Sequence, residues 1–118
     1  MTPEEYFADE PLGLAALDRV RSSLAPIGDV EVRASKSQVA FRRRRGFAFL
    51  WRPAQYLRRP APVVLSIALG RADGSSRFKQ VVHAAPAHWM RHLEIRDIAD
   101  LDDEVAGWLL EAAARASR

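Results

Sequence analysis

The spacing of apolar residues changes period twice along the chain. Leu14, Leu17, Val20 and Leu24 recur close to every 3.6 residues, with Arg19 and Arg21 on the flanks, which predicts an amphipathic helix ended by Pro26 and Gly28. Ahead of it, Thr2-Pro3-Glu4-Glu5 has the form of a capped helix start, with Pro3 at the first helical position and Glu5 placed to reach back to Thr2. Pro11 interrupts the short turn that follows. From Val30 the period becomes two. Val30 and Val32 alternate with Glu31 and Arg33, Val39 and Phe41 with Ala40 and Arg42, while Phe47, Phe49 and Trp51 share one face opposite Ala48 and Leu50. "VVLSIAL", Val63 to Leu69, is apolar on both faces and predicts the most buried strand. Asp73-Gly74-Ser75-Ser76 is a turn leading to a strand over Phe78 to Val82, and after Pro86 a last strand covers Met90 to Ile95, with Leu93 and Ile95 inward. Leu101, Val105, Trp108, Leu109 and Ala112 then form one helical stripe, with Asp100 as N-cap and Asp102, Asp103 and Glu104 at the positive end of the helix dipole.

This order predicts an α+β fold: a single layer of five or six mostly antiparallel strands with N- and C-terminal helices packed on one face, as one domain over residues 1–118. Phe47, Phe49 and Trp51 are then expected beneath the helices, although sheet aromatics also stack on bases in some RNA-binding modules, and Trp108 is expected against the sheet. Pro53, Pro60 and Pro62 mark a connection. Arg43 to Gly46 is expected to turn a hairpin, with Gly46 supplying a positive φ.

Composition narrows the classes. With 118 residues, 48% of them apolar, the chain suits one core that covers roughly two-thirds of the unfolded surface. No apolar run approaches the ~20 residues of a membrane helix, and Met1 to Glu10 is acidic where a secretory leader is basic and then apolar. A cytoplasmic protein without membrane contact is expected. Cysteine is absent, which excludes disulfides, thiolate zinc sites and thiol catalysis.

The net charge of +3 hides a segregation. Residues 1–32 carry two arginines against seven acids, residues 33–79 twelve Lys/Arg against Asp73 alone, and residues 80–118 four arginines against seven acids. A basic middle either makes a positive surface or is neutralised by acidic helices lying close to it.

The four arginines Arg42 to Arg45 fit phosphate or nucleic-acid contact, since guanidinium groups bind phosphates bidentately. A solvated hairpin turn accounts for them as well, because neighbouring strand residues point to opposite faces. His83, His88 and His92 make a metal site only if they converge, and no cysteine completes one, so no metal and no cofactor is expected. Ser35-Lys36-Ser37 does not make a nucleophile pair, because adjacent strand residues diverge. Neither GxGxxG nor GxxxxGK[ST] occurs.

Four segments carry a resemblance: "KSQVAFRRRRGFAFLWRPAQYL" (Lys36 to Leu57), "VVLSIAL", "HWMRHLEIRD" (His88 to Asp97) and "VAGWLLEAAA" (Val105 to Ala114). Through them the chain resembles the bacterial DUF5655 family, whose function is unassigned, so that the resemblance implies a fold type and no reaction. It also implies a pair of histidines where this chain has Arg91 and His92, and hence no role here that needs two imidazoles.

The expected function is a small binding module in which Lys36, Arg42, Arg43, Arg52 and Lys79 face an anionic ligand, with nucleic acid as first candidate. Two readings stand beside it. One is an enzyme of uncharacterised reaction with His92 in a pocket beside Lys36 and Trp51, where the imidazole moves a proton. The other is self-association, as a homodimer joined through Trp89 or Tyr56.

Overall fold

The computed structural model describes residues 1–53, 61–71, 75–85 and 88–117, with the backbone alone at 80–85 and 88. Tyr56, Pro60, Asp73, Gly74, Pro86 and the side chains of His83 and His88 lie outside the described residues.

Helix α1 (Pro3–Tyr6) starts on the capping box its sequence predicts. The Glu5 N–H donates to Thr2 Oγ1 at 3.0 Å, and the Thr2 N–H to Glu5 Oε1 at 2.8 Å. Pro11 opens the next helix, α2 (Pro11–Leu24), which buries Ala16, Leu17, Val20 and Leu24. Six strands follow, β1 (Glu31–Ala34), β2 (Val39–Arg42), β3 (Gly46–Trp51), β4 (Val63–Leu69), β5 (Gln80–Ala85) and β6 (His88–Ile95), and the chain closes on α3 (Asp103–Ala116). They form one antiparallel sheet in the order β1-β2-β3-β4-β6-β5. The α+β layer expected from the sequence is what forms. All seven residues of β4 are buried, as its two-sided apolar pattern requires.

Cross-strand partners share a face, so the pairings sort the paired positions of β2, β3, β4 and β6 onto two faces. Val39 and Phe41 of β2 pair with Leu50 and Ala48 of β3, Leu50 and Ala48 with Leu65 and Ile67 of β4, and Leu65 with Leu93 of β6. These residues belong to the same core cluster as Leu17, Val20, Val105, Leu109 and Ala112 of α2 and α3. The second face carries Ala40, Phe49, Trp51, Val64, Ser66, Ala68, Met90, His92 and Glu94.

Phe49 and Trp51 therefore turn away from α2 and α3, against the expectation that all three β3 aromatics lie beneath the helices. The cause is a β-bulge. Arg42 pairs with Gly46 and Phe41 with Ala48, so Phe47 is an extra residue with no partner opposite it. Phe47 joins the core, while Phe49 and Trp51 keep the opposite face half-buried. Gly46 also departs from expectation. It begins β3 without a positive φ, which among the described glycines only Gly28 shows. A Cβ at Gly46 would lie 2.9 Å from the Phe49 ring, so glycine there makes room for an aromatic.

At the other end of the chain, the N-cap of α3 is Asp102 rather than Asp100. Its carboxylate accepts from the Val105 N–H at 3.2 Å. Asp100 instead accepts from the N–H groups of Arg96 and Asp97 and closes a 3-10 turn over Ile98–Asp100. The helical stripe is buried as expected, with Trp108 packed on Phe78 at 4.6 Å between ring centroids. β5 begins at Gln80, so Phe78 precedes the strand in which the sequence places it.

Candidate functional site

Position 66 is the one polar residue of β4, and in a central strand a hydroxyl needs a partner. It has two. Trp51 Nε1 donates to Ser66 Oγ at 2.8 Å, and Ser66 Oγ lies 2.6 Å from His92 Nδ1. The register explains the meeting, because Ser66 pairs with His92 on one side and with Phe49 on the other, and Trp51 is two residues beyond Phe49 on the same face.

The proton order follows from the donors. The indole N–H takes one lone pair of Ser66 Oγ, and the assignment that also gives the hydroxyl proton an acceptor has it donate to His92 Nδ1, with His92 carrying its own proton on Nε2. Burial lowers the imidazole pKa from 6.5, so the ring is neutral at pH 7. The indole and imidazole rings stand edge to face, 6.2 Å apart. Together with Ser37, Gln38, Phe49 and Met90, these three residues line a recess of about 340 Å³.

Tyr6 fixes the end of this recess. Its hydroxyl donates to the Ser37 carbonyl at 3.1 Å and accepts from the Arg52 N–H at 3.0 Å, tying α1 to the β1–β2 turn and to the end of β3. Ser35 and Ser37 hydrogen-bond each other at 3.2 Å within that turn.

The structure divides the residues that the sequence nominates. Trp51 and His92 meet. Lys36 precedes the lining residue Ser37 and is exposed, Arg52 follows Trp51 and pairs with Asp9 at 2.9 Å, and Lys79 donates its N–H to the His92 carbonyl while its ammonium lies 3.8 Å from Glu94. Arg42 and Arg43 lie elsewhere, at the opposite end of the β2–β3 hairpin. One strand length, roughly 15–20 Å, separates them from Lys36 and Arg52.

At that opposite end the arginines hold the last turn of α3. Arg43 Nη1 donates to the Ala113 carbonyl at 3.1 Å, the Arg44 N–H to that of Ala116 at 3.2 Å, and Arg45 Nη2 to that of Arg115 at 3.1 Å, while the Ser117 hydroxyl donates to Ala114 at 2.8 Å. All four terminal carbonyls, which no helix satisfies internally, are covered. Positive charge beside the negative end of the dipole is favourable as well.

Arg91 and His92 occupy opposite faces of β6. Arg91 is fully buried on the helix face, stacks over Phe78 at 5.6 Å and donates to the Arg71 carbonyl. A histidine at position 91 would point away from His92. Sequence reasoning passed over Ser66, although a lone hydroxyl in an apolar strand was its signal. It placed Phe49 beneath the helices, because period-two counting cannot see the bulge at Phe47, and it passed over Met90, which alternation with the inward Leu93 and Ile95 puts on this face.

Chemically, Ser66 and His92 form a hydroxyl and base pair at mid-strand. The neighbouring backbone N–H groups lie in a ladder paired on both sides, so the donors that would stabilise an oxyanion are committed. Among the described residues no group of His, Asp and Glu is arranged to hold a metal ion, and no helix is long and apolar enough to cross a membrane.

No curated protein and no solved structure matches the chain. The model of the family described as "Domain of unknown function (DUF5655)" matches residues 4–114 of the 118, and the chain belongs to that family.

Proposed function

We propose that this protein is a binding module for a small anionic ligand with an aromatic or other flat apolar group, taken up on the sheet face opposite α2 and α3. The observation that carries this reading is the hydrogen-bonded row Trp51, Ser66 and His92 lining one recess. The row fixes two rings and presents His92 Nε2–H as a donor, while Phe49, Trp51 and Met90 supply apolar walls. Lys36 and Arg52 do not line the recess but are next in the chain to residues that do, and we infer that their charges reach its rim, where an anionic group of the ligand would end. The Arg52 to Asp9 pair is exposed on the acid's side, so an incoming carboxylate can replace Asp9 at little cost.

Two observations favour a discrete ligand over a strand of nucleic acid. The arginines fall at two separate ends of the hairpin, and Arg43, Arg52, Arg77 and Lys79 each already face an acid. A homodimer has weaker support, since Met1 is the one large apolar side chain that is highly exposed among the described residues.

The test is an NMR titration with benzoate and phenylacetate, following the Trp51 indole N–H and the His92 ring. Saturable shifts at both are expected, with affinity about tenfold weaker, or ~1.4 kcal/mol, in Ser66→Ala and in His92→Gln. Shifts that never saturate, or variants that bind as tightly as wild type, refute the reading.

A further inference from the structure

The hairpin that caps α3 has two guanidinium groups left over. Arg43 and Arg45 hold helix carbonyls through their side chains, but Arg44 does so through its backbone N–H, and Arg42 not at all. Among the described residues, the side chains of Arg42 and Arg44 make no hydrogen bond or ion pair. Both line a recess of about 400 Å³ together with Asp29, Glu31, Arg43 and Ser117. The two acids there are already matched, Asp29 by Arg43 at 3.1 Å and Glu31 by Arg33. Arg42 and Arg44 therefore carry the surplus charge. Arg43, on the same wall, has a buried Nε–H with no acceptor among the described residues.

We propose that this recess, separate from the one lined by Trp51 and His92, binds the phosphoryl group of a small molecule. Two uncommitted planar forks suit an anion with three peripheral oxygens better than a carboxylate, which a single arginine saturates. The negative end of α3 lies beside the recess and would repel an anion if bare, but its four terminal carbonyls are all covered. Asp29 and Glu31 select the form of the ligand. Their carboxylates interrupt the positive surface that a polyanionic strand would need, yet they accept from a hydroxyl, which a phosphate monoester keeps in part near its second pKa of about 6.

The experiment measures binding of inorganic phosphate and pyrophosphate by isothermal titration calorimetry at low ionic strength, for wild type, Arg44→Gln, Arg42→Lys and the double variant Arg42→Gln/Arg44→Gln. Saturable binding to wild type is expected, at least tenfold weaker in the double variant. Arg44 is exposed, so Arg44→Gln should keep the wild-type melting curve and still weaken binding, and Arg42→Lys, which keeps the charge and loses the fork, should weaken it as well. Absence of saturable binding, or equal affinity in wild type and Arg44→Gln, overturns the proposal. Tighter binding of an oligothymidylate lacking terminal phosphates than of pyrophosphate overturns it too, in favour of a nucleic-acid face.

Discussion

Arg43 donates from its guanidinium to the Ala113 carbonyl, 70 residues away in sequence, and so joins the turn of the β2–β3 hairpin to the end of the last helix. Its side chain is 19% exposed and also holds Asp29. Replacement by Gln should remove a charge-assisted bond to a helix end and destabilise the fold by about 1–3 kcal/mol. Arg44→Gln should be nearly neutral, because the backbone N–H of that residue does the capping. Urea unfolding of both variants decides it, and equal midpoints would mean that the Arg43 bond contributes nothing.

A turn of four arginines looks like a site for polyanions, or like solvated surface, until the position of the last helix is known. The sequence held no sign of the capping role, because it rests on contacts between segments far apart in the chain. By contrast, the α3 stripe and the apolar β4 segment were legible, since periodicity is a local property and burial follows it. Arg91 was half legible. It falls in register with Leu93 and Ile95, which puts it inward, but only the packing of Phe78 shows how a buried guanidinium is accommodated. The aromatic recess was hidden by one extra residue. The bulge at Phe47 separates that ring from Phe49 and Trp51, and period-two counting cannot detect it.

Gly13 tests the packing of α1 on α2. A Cβ there would meet the buried Phe7 ring at 2.1 Å. Gly→Ala inside a helix ordinarily gains about 1 kcal/mol, but this clash should reverse the sign and destabilise by about 1–3 kcal/mol. A thermal melt of Gly13→Ala at or above the wild-type midpoint would contradict the packing.

Trp108 is 7% exposed, lies 4.6 Å from Phe78 and has the Arg77 guanidinium 5.8 Å from its ring centroid. Trp108→Ala should cost about 3–5 kcal/mol by denaturant unfolding, through lost burial and the cavity left behind. A loss below about 1 kcal/mol would place the ring at the surface.

His92 sets a pH dependence of known sign. Its folded-state pKa lies below the unfolded value of 6.5, so the unfolded chain takes up the proton first as pH falls. The stability it contributes is complete above pH 6.5 and is lost as pH drops through the folded pKa. The difference in unfolding free energy between wild type and His92→Gln should therefore shrink from neutral pH toward the onset of carboxylate titration. A constant difference over that window would show a histidine that titrates alike in both states.

The ion pairs of the folded protein repeatedly join the basic middle of the chain to its acidic ends: Arg43 to Asp29, Arg52 to Asp9, Arg71 to Glu111, and Arg77 to Asp102. Being partly exposed, each adds little to the native state. The same segregation acts on the denatured chain, where nothing is packed and opposite blocks draw the termini inward, so that the unfolded ensemble is compacted before any core exists. Added salt should expand it, as screening weakens the attraction, and small-angle scattering in concentrated urea should show the radius of gyration rising with sodium chloride. A self-repelling chain would contract instead. In such a chain collapse would begin with charge order, leaving the hydrophobic pattern to select among conformations that are already compact.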